Sequence, residues 1–145
     1  MTTGDRRAGA QGSRNDSAGI RVLIVDDHPL VREALAERLS DEDDLTVVGV
    51  CEDGSQVLEA AERLQPNVVC MDLSMPVMNG LAASEAVRAA QLDVRIVVLT
   101  GSSTTSREAG AAGADALMPK SARLDALLYC VRSLAAGGRD CPYCL

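Results

Sequence analysis

The chain predicts an α/β fold in which five strands form a parallel sheet covered by helices on both faces. From Ile20 onward, short apolar runs alternate with segments of helical period, the signature of successive βα units. The runs Val22-Leu23-Ile24-Val25 and Val68-Val69-Cys70-Met71 are apolar on both faces, as strands covered on both sides must be. At 145 residues the chain makes one domain with a real core.

Each element has its own signal. A strand over 21–25 leads into a helix over 29–39. Pro29 suits the first turn of that helix, where its missing N–H costs nothing, and Leu30, Val31, Ala34, Leu35 and Leu39 recur at helical spacing as the expected buried face. A strand over 45–51, a helix over 55–64, a strand over 67–71, a helix over 81–90 and a strand over 94–99 follow. The next helix is weak, because GSSTTSREAGAAGAD offers only alanines as apolar residues and is interrupted by Gly110 and Gly113. A strand over 116–119 and a helix over 122–136 complete the pattern. In that last helix Leu124, Leu127, Leu128, Val131 and Leu134 form one stripe, with Ser121 as the expected N-cap and Gly137-Gly138 as the stop. Residues 1–19 have no apolar period and are expected to be disordered, 20–138 form the domain, and 139–145 read as a flexible tail.

Composition narrows the function. With no Trp or Phe and two Tyr, the core must be aliphatic. A net charge of −7 without clustered Lys and Arg argues against a nucleic-acid surface. No run approaches the ~18 apolar residues of a membrane span, and the N-terminus lacks the apolar stretch of a signal peptide, so a cytoplasmic protein without a membrane partner is expected. Five cysteines is an odd number, and Cys51 and Cys70 fall in strand runs where a small buried hydrophobe is the ordinary role.

The residues that break this pattern sit at strand ends. Asp26 and Asp27 end the first strand, Asp72 the third and Thr100 the fourth, and Lys120 follows the fifth. In open parallel sheets the binding crevice lies beyond the carboxyl ends of the strands. Lys120 is the single lysine against thirteen arginines, and a compact ammonium suits a phosphoryl oxygen. If the first and third strands are neighbours, three carboxylates converge; two like charges 4 Å apart repel by about 4 kcal/mol at an effective dielectric near 20. Such a cluster needs a cation, and oxygen-only ligands on loops suit Mg²⁺. Taken alone, an acidic pair at a strand end is an ordinary cap or solvated turn. The loop from Asp72 to Gly80, with Pro76 within it, changes the balance by shaping backbone carbonyls toward a metal. His28 stands beside the acid pair, where a solvent-facing role above the site is preferred to proton transfer.

The segments DDHPLVREAL, DLSMPVMNG, VVLT and AGADALMPK resemble the receiver domain of bacterial two-component response regulators in its NarL/LuxR-like subfamily, over roughly 20–138. The resemblance implies a flavodoxin-like sheet in the order 2-1-3-4-5. It implies that Asp72 is the phosphoacceptor for a histidine kinase, and that Asp27, Asp72 and the backbone carbonyl of Ser74 hold Mg²⁺ with Asp26 acting through water. Lys120 and the Thr100 hydroxyl would meet phosphoryl oxygens. It implies a signalling module and not a turnover enzyme, with an unidentified protein as output partner and a homodimer as a further option.

Three features depart from the family. Leu117 stands where receivers usually carry an aromatic residue, Pro119 precedes the lysine instead of following it, and the segment between Thr100 and Lys120 is short. Subfamily members also continue into a helix-turn-helix domain, so a chain ending at Leu145 is expected to act through a protein; otherwise it is the front part of a DNA-binding regulator. The end of the chain, Cys141-Pro142-Tyr143-Cys144, reads as a flexible tail, with a thiol redox role or half of a zinc site as alternatives.

Overall fold

A computed structural model describes residues 19–101 and 104–145. Strands β1 (Ile20–Val25), β2 (Leu45–Cys51), β3 (Val68–Asp72), β4 (Arg95–Thr100) and β5 (Ala116–Pro119) form one sheet, order β2-β1-β3-β4-β5, with every pairing parallel. The connections are α1 (Pro29–Ser40), α2 (Val57–Leu64, after a 3₁₀ turn at Gly54–Gln56), α3 (Gly80–Ala89), α4 (Ser106–Ala111) and α5 (Leu124–Ala135). This is the flavodoxin-like fold expected from the sequence. The disorder expected for 1–19 concerns residues outside those described, apart from Gly19.

Successive residues of the central strands feed two apolar layers, because side chains alternate across a sheet. Val22, Ile24, Val68 and Cys70 pack with Leu39, Leu127, Val131 and Leu134 beneath α1 and α5. Leu23, Val25, Val69 and Met71 pack with Val57, Ala83, Val87 and Ala109 from α2, α3 and α4. The strand order reverses between β1 and β3, so their carboxyl ends open the crevice that holds the acidic residues.

Three expectations need correction. The buried face of α1 is rotated: Leu39 is buried and Arg32, Leu35 and Ala36 are partly buried, whereas Leu30 is 80% exposed and Val31 and Ala34 face solvent. Arg32 turns inward because its guanidinium donates to the Asp26 carbonyl at 2.9 Å, which draws its aliphatic stem along the domain. Ser121 does not cap α5; Arg123 occupies the N-cap without a side-chain hydrogen bond. The helix does stop at Gly137, whose φ of +86° and the bonds Gly137 N→Leu134 O and Gly138 N→Ser133 O make a Schellman ending.

The third correction is the largest. Residues 139–145, expected as a flexible tail, fold back along the open edge of β5. Cys144 forms an antiparallel bridge with Ala116, Leu117 N donates to Tyr143 O at 3.1 Å, and Leu145 N donates to Asp115 O at 2.9 Å. Side chains fasten the same segment. Buried Asp115 accepts from Arg139 at 2.9 Å, from Arg88 of α3 at 2.7 Å and from Ile96 N at 2.8 Å. Tyr129 and Ser133 of α5 both donate to Asp140. The tail is thus tied through Asp115 to α3 and β4, and β5 is not left as a bare edge.

Candidate functional site at the carboxyl ends of β1, β3 and β4

Asp72 is the last residue of β3 and is 2% exposed. Its backbone is held by the β4 register, in which Asp72 pairs with Leu99, and the next amide, Leu73 N, donates to Leu99 O at 2.8 Å. The loop after it must turn back sharply to start α3. Gly80 N donates to Leu73 O, and a Cβ at Gly80 would lie 2.6 Å from the Asp72 carbonyl oxygen, so only glycine permits that approach. Asn79 caps α3 by accepting from Ala82 N at 2.9 Å. Val77, in the same loop, has φ +68°, a left-handed conformation that a β-branched side chain adopts only under strain.

The predicted residues converge. Asp26, Asp27, His28 and Asp72 each offer a ligand atom, and these atoms lie within 4.8 Å of one another. Lys120 Nζ stands 3.1 Å from Asp72 Oδ1. Its position is fixed by Lys120 N→Thr100 O at 2.8 Å, the continuation of the β4–β5 register beyond the Thr100–Pro119 pair. Thr100 is buried at the end of β4, on the strand beside Asp72. Ser74 N donates to Asp72 Oδ1 at 3.3 Å, and Ser74 lines one groove with Asp27. Pro119 sits on an edge strand, where its lack of an N–H costs no sheet bond.

Among the described residues, two carboxylate oxygens are buried without a hydrogen-bond partner: Asp27 Oδ1 and Asp72 Oδ2. His28 Nδ1 lies 3.2 Å from Asp27 Oδ1 but out of hydrogen-bond alignment, and its ring is mostly exposed. Burial pushes the Asp72 carboxyl above the usual carboxylate range; Lys120 opposes that shift and Asp26 reinforces it. Orphaned buried oxygens within a cluster of like charge fit a hard, oxygen-seeking divalent cation. The sequence anticipated this set because carboxylates interrupt otherwise apolar strand ends.

Comparison with known proteins agrees with that geometry. Residues 22–132 match the family model described as response regulator receiver domain. The chain belongs to the response regulator receiver family. The receiver is 39% identical over 125 residues to the response regulator GacA of Pseudomonas aeruginosa, covering 83% of this chain and 57% of that protein. It is 37% identical over 118 residues to the nitrate/nitrite response regulator protein NarL of Escherichia coli, covering 80% and 55%. Among solved structures it superposes on the signal receiver domain of the putative response regulator NarL from Mycobacterium tuberculosis with a TM-score of 0.72 and 31% identity, over 79% of this chain and 97% of that one. The chain spans a little over half the length of these curated relatives.

Sequence reasoning singled out Cys141 and Cys144 as a redox or half-zinc alternative but missed the third member of their cluster. Cys130 of α5 is fully buried and its Sγ lies 2.9 Å from Cys141 Sγ, which in turn lies 3.1 Å from Cys144 Sγ. Within an apolar helical stripe Cys130 reads as one more small hydrophobe, so only the folded tail reveals the grouping. Burial, together with the adjacent Cys141, pushes the Cys130 thiol above its ordinary range.

Proposed function

We propose that this receiver is a Mg²⁺-dependent phosphoacceptor whose Asp72 carboxylate takes a phosphoryl group from a phosphohistidine on a histidine kinase. The observation that carries this reading is the division of labour within one carboxylate: Oδ1 is paired with Lys120, while Oδ2 is buried with no hydrogen-bond partner. Attack by Oδ2 forms a P–O bond as the P–N bond of the donor breaks, and the donor imidazole keeps the electron pair and gains a proton. Asp27, Asp72 and the Ser74 carbonyl would hold Mg²⁺, with Asp26 acting through water; when bound, the ion offsets the charge of the carboxylates and the incoming phosphoryl oxygens. Lys120 would supply a second positive charge, and the Thr100 hydroxyl, at the end of the neighbouring strand, would meet another phosphoryl oxygen.

In this reading the phosphodonor approaches over α1 and the β5–α5 loop. There Leu30 and Val31 stand exposed, and a groove between α1 and α5 runs from Val31 and Leu35 to Asp26 and Lys120. An apolar surface of this kind beside the nucleophile supports docking of a kinase helix. We assign the output to a protein partner, and read the chain as a switch that turns over its own phosphoryl group, not as an enzyme acting on an external substrate.

Incubation with acetyl phosphate and Mg²⁺, followed by intact mass, tests the reading. Wild type should gain one phosphoryl group, and omission of Mg²⁺ or the Asp72→Asn change should abolish the gain. Labelling of the Asn variant at the wild-type level would remove Asp72 from the role.

A further inference from the structure

Cys130, Cys141 and Cys144 bring one sulfur each to within 4.8 Å of one another. They come from two elements, one from α5 and two from the turn that lays the tail along β5. That turn is closed by Cys144 N→Cys141 O at 3.1 Å. Cys130 and Cys141 are buried, whereas Cys144 is partly exposed. Cys51 and Cys70 are buried outside this cluster: Cys51 packs in the layer beneath α2 and α3, and Cys70 in the layer it shares with Cys130 and Cys141.

We propose that these three sulfurs form a thiolate site for a soft divalent cation, Zn²⁺ being the natural occupant, which clamps the C-terminal tail to α5 and the edge of β5. Tetrahedral zinc with Zn–S bonds of about 2.3 Å separates its sulfurs by about 3.8 Å. The observed gaps of 2.9 and 3.1 Å need to widen by under an ångström, a shift the surface turn at Pro142 can absorb. Three neutral thiols pressed together make only weak S–H contacts, whereas a cation turns the same arrangement into three strong bonds. Binding displaces three thiol protons to solvent as three Zn–S bonds form, and involves no electron transfer. The spacing supports the choice of metal, because Cys-x-x-Cys on a tight turn with a third cysteine from a neighbouring helix is a pattern of zinc ligands. The fourth position falls on the solvent side, next to Cys144, where water or a donor atom from a partner protein completes the shell. Nothing in this inference depends on phosphorylation of Asp72.

The test uses the whole chain, reduced and metal-free. Native mass spectrometry after addition of Zn²⁺ in excess Mg²⁺, which occupies the carboxylate cluster, should show one zinc ion per chain, and Co²⁺ in its place should give thiolate-to-cobalt charge-transfer absorption with intense tetrahedral d–d bands. Cys144→Ser, at the exposed side of the cluster, should weaken binding by more than the roughly 10–100-fold that loss of an outer-shell partner costs. Cys51→Ser, a buried cysteine outside the cluster, should leave it unchanged. Zinc should also slow amide exchange at Leu117 and Leu145, whose N–H groups bond across the tail junction, and should not do so in Cys144→Ser. Absence of a cobalt–thiolate band, or zinc uptake that survives Cys141→Ser and Cys144→Ser together, would overturn the proposal.

Discussion

At the scale of single residues, the site stores unfavourable energy that its ligands relieve. Burial raises the Asp72 carboxyl above its usual range, with Lys120 opposing and Asp26 reinforcing. The folded chain therefore holds that proton more tightly than the unfolded chain. The metal-free protein should gain stability as pH falls through the raised folded value toward about 4, the ordinary Asp value, and carry the cost of an ionised Asp72 above it. Asp72→Asn should accordingly melt higher than wild type near neutral pH without metal, and the gap should close on acidification. A gap that widens instead would reject the desolvation account. Asp27→Asn should raise the metal-free melting temperature for a related reason, loss of like-charge repulsion, while weakening Mg²⁺ binding measured by calorimetry. Val77 is a separate reservoir. A β-branched residue at φ +68° is strained by an amount on the order of 1–3 kcal/mol. Val77→Asn should stabilise the chain by about 1 kcal/mol in urea unfolding, since Asn tolerates the left-handed region.

At the scale of elements, legibility tracks how many faces of an element are buried. β1 and β3 announce themselves because both of their faces meet an apolar layer, and the carboxylates at their ends are conspicuous against that background. α1 was harder to orient. Its inner stripe runs through Arg32, which a hydrophobic pattern counts as polar although its stem lies inward and its head meets the Asp26 carbonyl. α4 looked too poor in apolar residues to be well defined, yet Thr105 and Glu108 form a reciprocal capping box and Ala109 is wholly buried. Side-chain capping supplies what hydrophobic anchoring lacks. Thr105→Ala should therefore cost about 1 kcal/mol and speed amide exchange across α4, while α5 stays protected. The helix expected to be weak is thus formed over Ser106–Ala111. The tail was illegible for a different reason. It docks through backbone bonds to Leu117 and Asp115 and through scattered polar side chains, none of which leaves a periodic trace.

At the scale of the whole molecule, Asp115 is the knot. It joins β4, α3 and the tail through Ile96 N, Arg88 and Arg139, and both arginines keep access to solvent. Their ion pairing is therefore weak on its own, and the larger loss on truncation is the buried acceptor for Ile96 N–H. Asp115→Ala should cost about 2–3 kcal/mol in urea unfolding and loosen the tail, seen as faster exchange at the Leu145 amide. The chain also carries its own optical reporter. It has no tryptophan, so ultraviolet emission comes from two tyrosines, and both belong to the tail junction: Tyr143 lies within the tail, and Tyr129 donates its hydroxyl to Asp140 at 2.7 Å. A carboxylate bonded to a phenol quenches its fluorescence, so release of the tail should brighten the emission. Attachment and detachment of this strap can thus be followed in the unlabelled protein, on the same sample and in the same seconds as phosphorylation or metal addition.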